Sequence, residues 1–332
     1  MTRTVTARLA RVGALAALAL ISLAGTGAVR AQDSYPAKPI TIVLPQPAGG
    51  AVDLIARTLG ERLTEQMKQP VIIENRPGAN GGLAAGQVVR SSPDGYTLFL
   101  AVDTNLCVNP NLYPNLGYDP FRDFTPIGIL AKVDLVLVAN AAVPANTVQE
   151  LLALAKAQPG KLNYAAIGLG TQQHLGMELF KLMTGTSITQ INYRGTAPAT
   201  TDLLSGVVQV MFTGPQAAKA HRGGGKMKAL AVTGPKRLPV LPDVPTMDEA
   251  GVPGYRLSGW FGLLAPSKTP KPVVDKLTAE VRKAVNDARF KNRLTAVGME
   301  IIGSTSGEML AQMRADTAKW LDVIKRTGVK IP

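Results

Sequence analysis

The stretch Ile40-Thr-Ile-Val-Leu-Pro-Gln-Pro-Ala-Gly-Gly-Ala-Val-Asp53 runs an apolar strand into a Gly-rich turn and out into a helix. Residues 40–44 read as a buried strand, and Leu54, Ile55, Leu59, Leu63 and Met67 then fall on one helical stripe. A strand over 71–73, a breaker-rich turn over 75–82, a helix to about residue 90 and a strand over 96–102 complete a βαβαβ run. That order predicts a largely parallel sheet with helices on both faces. The same junction recurs where Leu162 leads through Gly168 and Gly170 to His174, and where Ile188 leads through Gly195 to Pro198. A helix start offers free backbone N–H groups and the positive end of the helix dipole, so each junction can hold an anion. No obvious catalytic residue stands at these junctions, a pattern that fits gripping an anionic molecule without transforming it.

The rest of the chain alternates in the same manner. A looser segment over 105–124 precedes strands over 127–130 and 135–139, and a new α/β run starts at Thr147, an N-cap with Glu150 three residues on. Further strands are predicted over 207–212, 229–233 and 262–265, with a loop carrying one short helix over 238–255. Helices over 272–287 and 307–327 close the chain. The last is capped by Thr305 or Ser306, carries a stripe of Leu310, Met313, Trp320 and Ile324, and stops at Gly328. Two α/β units joined by mid-chain strands, with the C-terminus packed on the first, predict two lobes: 32–131 with 255–332, and 132–254. Ligands of open α/β sheets bind outside the carboxyl ends of the strands, which places the site in the cleft between the lobes.

The bulk numbers narrow the class. A length of 332 residues suffices for two domains. Arg3, Arg8 and Arg11 precede an apolar run over 13–25, and Val29-Arg-Ala31 supplies small residues for cleavage, so residues 1–31 read as a secretory signal peptide cut after Ala31. Removing its four arginines takes the net charge from +13 to +9. The basic residues are spread without a block and aromatics are only 5%, which argues against a nucleic-acid partner. Cys107 is the only cysteine, so there is no internal disulfide, and it reads as a small buried apolar residue.

Candidate motifs thin out on inspection. Gly168-Leu-Gly170-Thr-Gln-Gln173 half-matches a dinucleotide fingerprint, but Gln stands for the third Gly and no acid falls between Ser187 and Gly195. His174 and His221 are the only histidines, too few for a zinc set and without a nucleophile or orienting acid, so His174 reads as structural. No metal or other cofactor is implied. Asp53 sits in a first helical turn, where acids cap. Arg57, Arg76 and Arg194 are possible carboxylate clamps, Arg194 the best placed. Helix termini at about 0.3–1 kcal/mol and charge-assisted hydrogen bonds at about 1.5–3 kcal/mol each reach micromolar affinity without a buried arginine.

An ordered set of short motifs then carries a family resemblance. Tyr35-Pro-x-Lys-Pro-Ile, Pro47-Ala-Gly-Gly-x-x-Asp53, Glu74-Asn-Arg-Pro-Gly-Ala, Pro93-Asp-Gly-Tyr-Thr-Leu, Gly170-Thr-x-x-His-Leu, Tyr193-Arg-Gly-x-Ala-Pro-Ala, Ala229-Leu-Ala-Val-Thr, Leu241-Pro-Asp-Val-Pro-Thr and Gly262-Leu-Leu-Ala-Pro266 resemble the Bug-type substrate-binding proteins of tripartite tricarboxylate transporters. The resemblance covers essentially the whole mature chain. It implies an α/β periplasmic-binding-protein type II fold (a Venus flytrap), a periplasmic location, a monomer, and delivery of a small carboxylate to integral-membrane permease subunits. It also implies that Pro47, Ala48, Gly49 and Gly50, braced by Asp53, grip the ligand from one lobe, and Thr171, Gln172, His174, Gly195, Thr196 and Ala197 from the other. Two departures stand out. Gln46 replaces a residue often aromatic or apolar in the family, and Thr213 stands where the family frequently has an Asp. Losing that acid removes a partner for a ligand ammonium, so an amine-free di- or tricarboxylate, or an aromatic carboxylate, is expected. The alternatives are a ligand-sensing partner of a membrane signalling kinase and a secreted α/β enzyme.

Overall fold

Alternation of buried side chains along the strands organises the computed structural model, which describes residues 35–330. The chain forms β1 (Ile40–Leu44), α1 (Ala51–Met67), β2 (Val71–Asn75), α2 (Gly82–Val89), β3 (Thr97–Val102), the short helices α3 (Asp103–Cys107) and α4 (Asn109–Leu112), and the long β4 (Phe124–Asp134). It passes through Leu135 into β5 (Val136–Asn140), α5 (Val148–Ala157), β6 (Asn163–Ala166), α6 (Gln172–Thr184), β7 (Thr189–Asn192), α7 (Thr196–Ser205), β8 (Val210–Thr213), α8 (Pro215–Arg222) and β9 (Met227–Val232). A turn-rich segment returns it to β10 (Ser258–Pro266), α9 (Lys271–Asn286), α10 (Ala288–Thr295), β11 (Met299–Ile301) and α11 (Ser306–Thr327).

Two mixed sheets result, in the orders β11-β4-β10-β3-β1-β2 and β7-β6-β8-β5-β9. In the first, β1 pairs in parallel with β2 and β3, the core of the predicted βαβαβ run. In the second, β6 pairs in parallel with β7 and β8. The two-lobed architecture follows the sequence reading, but the chain changes sheets at Leu135 and again between Leu257 and Ser258. The expected limits at 131/132 and 254/255 each fall a few residues short of these crossings. Leu257 still belongs to the second lobe: its N–H and C=O are both bonded to Thr233.

Period-two alternation gives each sheet two apolar faces. Ile40, Ile42 and Leu44 bury against α1, α9 and α10, in a core confined to the first lobe. Val136, Val138 and Met211 bury against α7 and α8, in a core confined to the second. The remaining faces meet: Val43, Phe99 and Ala101 share one continuous core with Leu137, Tyr164, Val210 and Phe212. Leu106 and Cys107 of α3, Leu175 and Phe180 of α6, and Met309, Met313, Trp320, Val323 and Ile324 of α11 fill it. The C-terminal helix starts at a capping box between Thr305 and Glu308 and ends at Gly328 with φ +69°. Its buried stripe runs through Met309, with Leu310 only partly covered. Cys107 is buried, its Sγ donating to the Met313 carbonyl at 3.6 Å, and burial raises the pKa of the thiol.

Several expectations need correcting. The segment 105–124 contains most of α3 and all of α4. The expected strand over 207–212 begins only at Val210, because Val207 is exposed. Strand β10 is longer than the expected 262–265. Residues 238–255 hold turns and isolated bridges rather than a helix. At Thr147 the hydroxyl accepts from Glu150 N, while the Glu150 carboxylate bonds Asn146 N rather than closing a capping box. The signal peptide expected over 1–31 lies outside the described residues.

Because Trp320 is buried where both sheets share one core, Trp320→Ala should cost about 3–5 kcal/mol. Denaturant unfolding followed by circular dichroism should move to a lower midpoint and stay a single transition. Two separated transitions would contradict a common core.

Candidate functional site

The first Gly-rich turn is exposed from Gln46 to Gly50 and is held from beneath. Gly49 takes φ +87°, and its N–H donates to Asp53 Oδ2 at 3.0 Å. Arg57 donates to the same carboxylate twice, at 2.9 and 3.0 Å, and Asn75 Nδ2 donates to its Oδ1 at 3.2 Å. Asn75 also bonds the Gln46 carbonyl at 3.0 Å, tying the turn after β1 to the end of β2. The Arg57 bond is the first cause of an Asp53 pKa lowered to about 2. Four donors leave this carboxylate no spare capacity: it shapes the turn. Hydrogen bonding within α1 begins at Leu54 N to Gly50 O, so the N–H groups of Ala51, Val52 and Asp53 have no acceptor inside the helix.

The second turn is built on a similar plan. Thr171 caps α6, its hydroxyl accepting from His174 N at 3.4 Å and donating to the Gly168 carbonyl at 2.9 Å. His174 Nδ1 accepts from Gly170 N at 3.0 Å. The ring is buried, and burial lowers its pKa, so the neutral form that this bond requires is favoured. His174 therefore locks the turn, and its Nδ1 is committed to the backbone.

The third turn leaves β7, the parallel neighbour of β6, and Tyr193 N bonds Ala166 O between them. Gly195 takes φ +119° and ψ 171°, a region open in practice only to glycine. No side chain caps α7, and Thr196 and Ala197 are exposed at its start. Thr213 ends β8, on the other side of β6, but its hydroxyl is buried and without a hydrogen-bond partner among the described residues.

One bond joins the two sets of turns. Gln172 Nε2, at the start of α6, donates to Asp103 Oδ1 at 2.7 Å, and Asp103 directly follows β3. The carboxyl end of β3 and the helix start that follows β6 therefore meet. Pro47, Ala48, Gly49, Gly50 and Asp53 form one cluster in the first lobe. Thr171, Gln172, His174, Gly195, Thr196 and Ala197 line adjacent junctions in the second.

The arginines divide. Arg57 is held by Asp53, Arg76 pairs with Glu74 at 3.1 Å, and Arg194 is exposed beside Gly195. Sequence reasoning passed over Asn75, Asp103 and Asn105. Asn105 bonds Val102 N and the Asn80 carbonyl, and a Cβ on Gly81 would collide with it. The signal was a polar run, Asp103-Thr-Asn105, directly at the carboxyl end of an apolar strand. A cavity of about 620 Å³ between Pro110 and Arg122 shares no residue with these turns. Among the described residues, no group of three or more His, Cys, Asp or Glu side chains is placed to hold a metal.

Comparison with known proteins places the chain in a family. Residues 55–329 match the profile of a family described as the tripartite tricarboxylate transporter family receptor. Protein BugT of Bordetella pertussis is 35% identical over 312 residues, covering 94% of this chain and 96% of that protein. The structure of R. palustris Rpa4515 with adipate is 36% identical, with a TM-score of 0.82, over 89% of this chain and 99% of the other. MatC from Rhodopseudomonas palustris with bound malate is 32% identical, with a TM-score of 0.78, over 87% of this chain and all of the other.

The depressed Asp53 pKa carries a pH signature. A carboxyl held below its ordinary 3.8 contributes stability that is full above that value and is lost as pH falls toward about 2. Asp53→Asn should therefore flatten the acid limb of unfolding free energy between about pH 4 and 2. An unchanged acid limb would mean that the Arg57 pair contributes nothing.

Proposed function

The chain belongs to the tripartite tricarboxylate transporter receptor family, and on that premise we propose that it captures an ammonium-free dicarboxylate between its lobes. The observation that supports this reading is the placing of three helix N-termini, two of them (α1 and α7) without a side-chain cap, behind glycines at positive φ at the carboxyl ends of strands, with Gln172 at the third bonded to Asp103 of the first lobe. One ligand carboxylate sits on the amides after Pro47–Gly50. The other faces the starts of α6 and α7, at Thr171, Gln172, Gly195, Thr196 and Ala197. Asp53 and His174 hold these backbones without touching the ligand. Closure follows because the ligand makes more contacts in the closed state than in the open one.

The choice of an ammonium-free ligand rests on acceptors. An amino-acid ligand needs a carboxylate for its ammonium. Asp53 is filled by four donors, Asp103 accepts from Gln172 with one oxygen and buries the other away from solvent, and position 213 is a buried Thr. Adipate and malate, carried by relatives of this chain, belong to the class proposed. We read the protein as a receptor and not an enzyme, because its one cleft histidine spends Nδ1 on a backbone amide. Removal of residues 1–31 would leave a periplasmic monomer that hands its ligand to membrane permease subunits. Thr213 stays in the site as a wall residue rather than a donor.

A thermal-shift series on residues 32–332 with adipate, malate, citrate, benzoate, aspartate and glutamate tests the reading. A bound acid at a hundredfold excess over Kd should stabilise by about 2.7 kcal/mol. Tightest binding by aspartate or glutamate, or no shift with any acid, would overturn it. Gly49→Ala places a side chain at φ +87° in otherwise open space, so it acts on the backbone alone. Strain of about 1–3 kcal/mol there should weaken binding of the same acid by about fivefold or more.

A further inference from the structure

We propose that Asp103 is a positioning residue: its carboxyl ties the ligand-facing N-terminal turn of α6 to the first lobe and takes up a proton from solvent as the lobes close. The tie spans elements far apart in sequence. Oδ1 accepts from Gln172 Nε2 at 2.7 Å and from Thr104 N at 2.8 Å. Oδ2 is buried without a hydrogen-bond partner among the described residues, in a side chain only 1% exposed. A buried carboxylate with one unpartnered oxygen is costly as an anion, while a proton on Oδ2 removes the charge and leaves Oδ1 free to hold Gln172. The surroundings enforce this state. From β10, Gly259 presses against the Gln172 amide so closely that a Cβ there would overlap it. From α11, Asp316 adds like charge, but its carboxylate is occupied by Trp260 Nε1 at 2.7 Å and Gln312 Nε2 at 3.0 Å. Lys319, also from α11, sends its ammonium to the Arg256 carbonyl at 2.7 Å and makes no ion pair with Asp103. On α3 itself, Cys107 is a neutral thiol.

The direction of the linkage follows from hydration. In the structure, with the Gln172 tie made, burial pushes the carboxyl up to about 7, a rise reinforced by Asp316 and opposed by the Gln172 and Thr104 bonds and by Lys319. We take this as the closed arrangement; an opening that breaks the tie and wets the carboxyl returns it to about 4. Between those values the closed state holds more protons than the open one. Closure is therefore strongest at the acid end, weakens as pH rises toward 7, and levels off above it.

This inference uses the proposed site only through the place of Gln172, and one arm of its test needs no ligand. Small-angle X-ray scattering of residues 32–332 should show a larger radius of gyration at pH 7.5 than at pH 5.5. Asp103→Asn, neutral at every pH with its acceptor oxygen kept, should show no such change. Calorimetry with adipate or malate at pH 6, in two buffers of different ionisation enthalpy, should find most of a proton more taken up by the wild type than by D103N, the ligand's own titration being common to both. Relative to D103N, wild-type affinity should fall by up to about twentyfold from pH 5.5 to 7.5. Gly259→Ala displaces the Gln172 amide while leaving Asp103 and Gln172 themselves unsubstituted, and should weaken binding at every pH. Matching pH profiles in wild type and D103N, by scattering and by calorimetry, would overturn the proposal. Scattering that follows the expected pattern while no acid binds would overturn the carboxylate reading and leave the tie intact.

Discussion

Everything in this fold depends on a core that belongs to neither lobe. Each sheet buries one face privately and turns the other toward a common apolar interior, which α3, α6 and α11 complete. Close packing leaves little freedom in how two sheets can share such an interior, because side chains must interdigitate without voids. That constraint sets the carboxyl ends of β3 and β6 beside each other, close enough for Asp103 and Gln172 to bond. The cleft is a consequence of where the shared core stops.

At its edge the polar chemistry is mostly backbone chemistry. Three helices begin there with amides that their own turns cannot satisfy, and the side chains nearest them face inward to hold the turns. Asp53 organises one junction and His174 another, each by accepting an N–H from a glycine. The site proposed there would present donors at positions fixed by glycine conformation, which suits carboxylates of varied length and leaves little trace in side-chain identity.

That same economy explains what could be read from the sequence. The βαβαβ run, the two lobes and the Gly-rich junctions were legible because periodicity changes from two to 3.6 at each glycine-bearing turn, a local signal. Caps at Thr147, Thr305 and Gly328 were legible for the same reason. The helix α10 and strand β11 were not. Asp287, read as the end of the helix over 272–287, in fact caps α10, and the three residues of β11 are too few to show alternation. The stripe of α11 was offset from Met309 to Leu310, a choice that only the packed neighbours make. Asp103 stayed hidden because its partner lies 69 residues away and no local pattern announces a long-range bond. Asn75 and Asn105 were passed over for a related reason: each works by bonding the backbone of another turn.

The buried Cys107 has a practical consequence. Its thiol is spent on a main-chain carbonyl, packed inside the common core and held in its unreactive protonated form. A reporter cysteine introduced at any exposed position would then be the one sulfhydryl that a maleimide dye or spin label reaches. The native sequence thus serves as its own background-free scaffold for spectroscopy, with nothing removed from its interior.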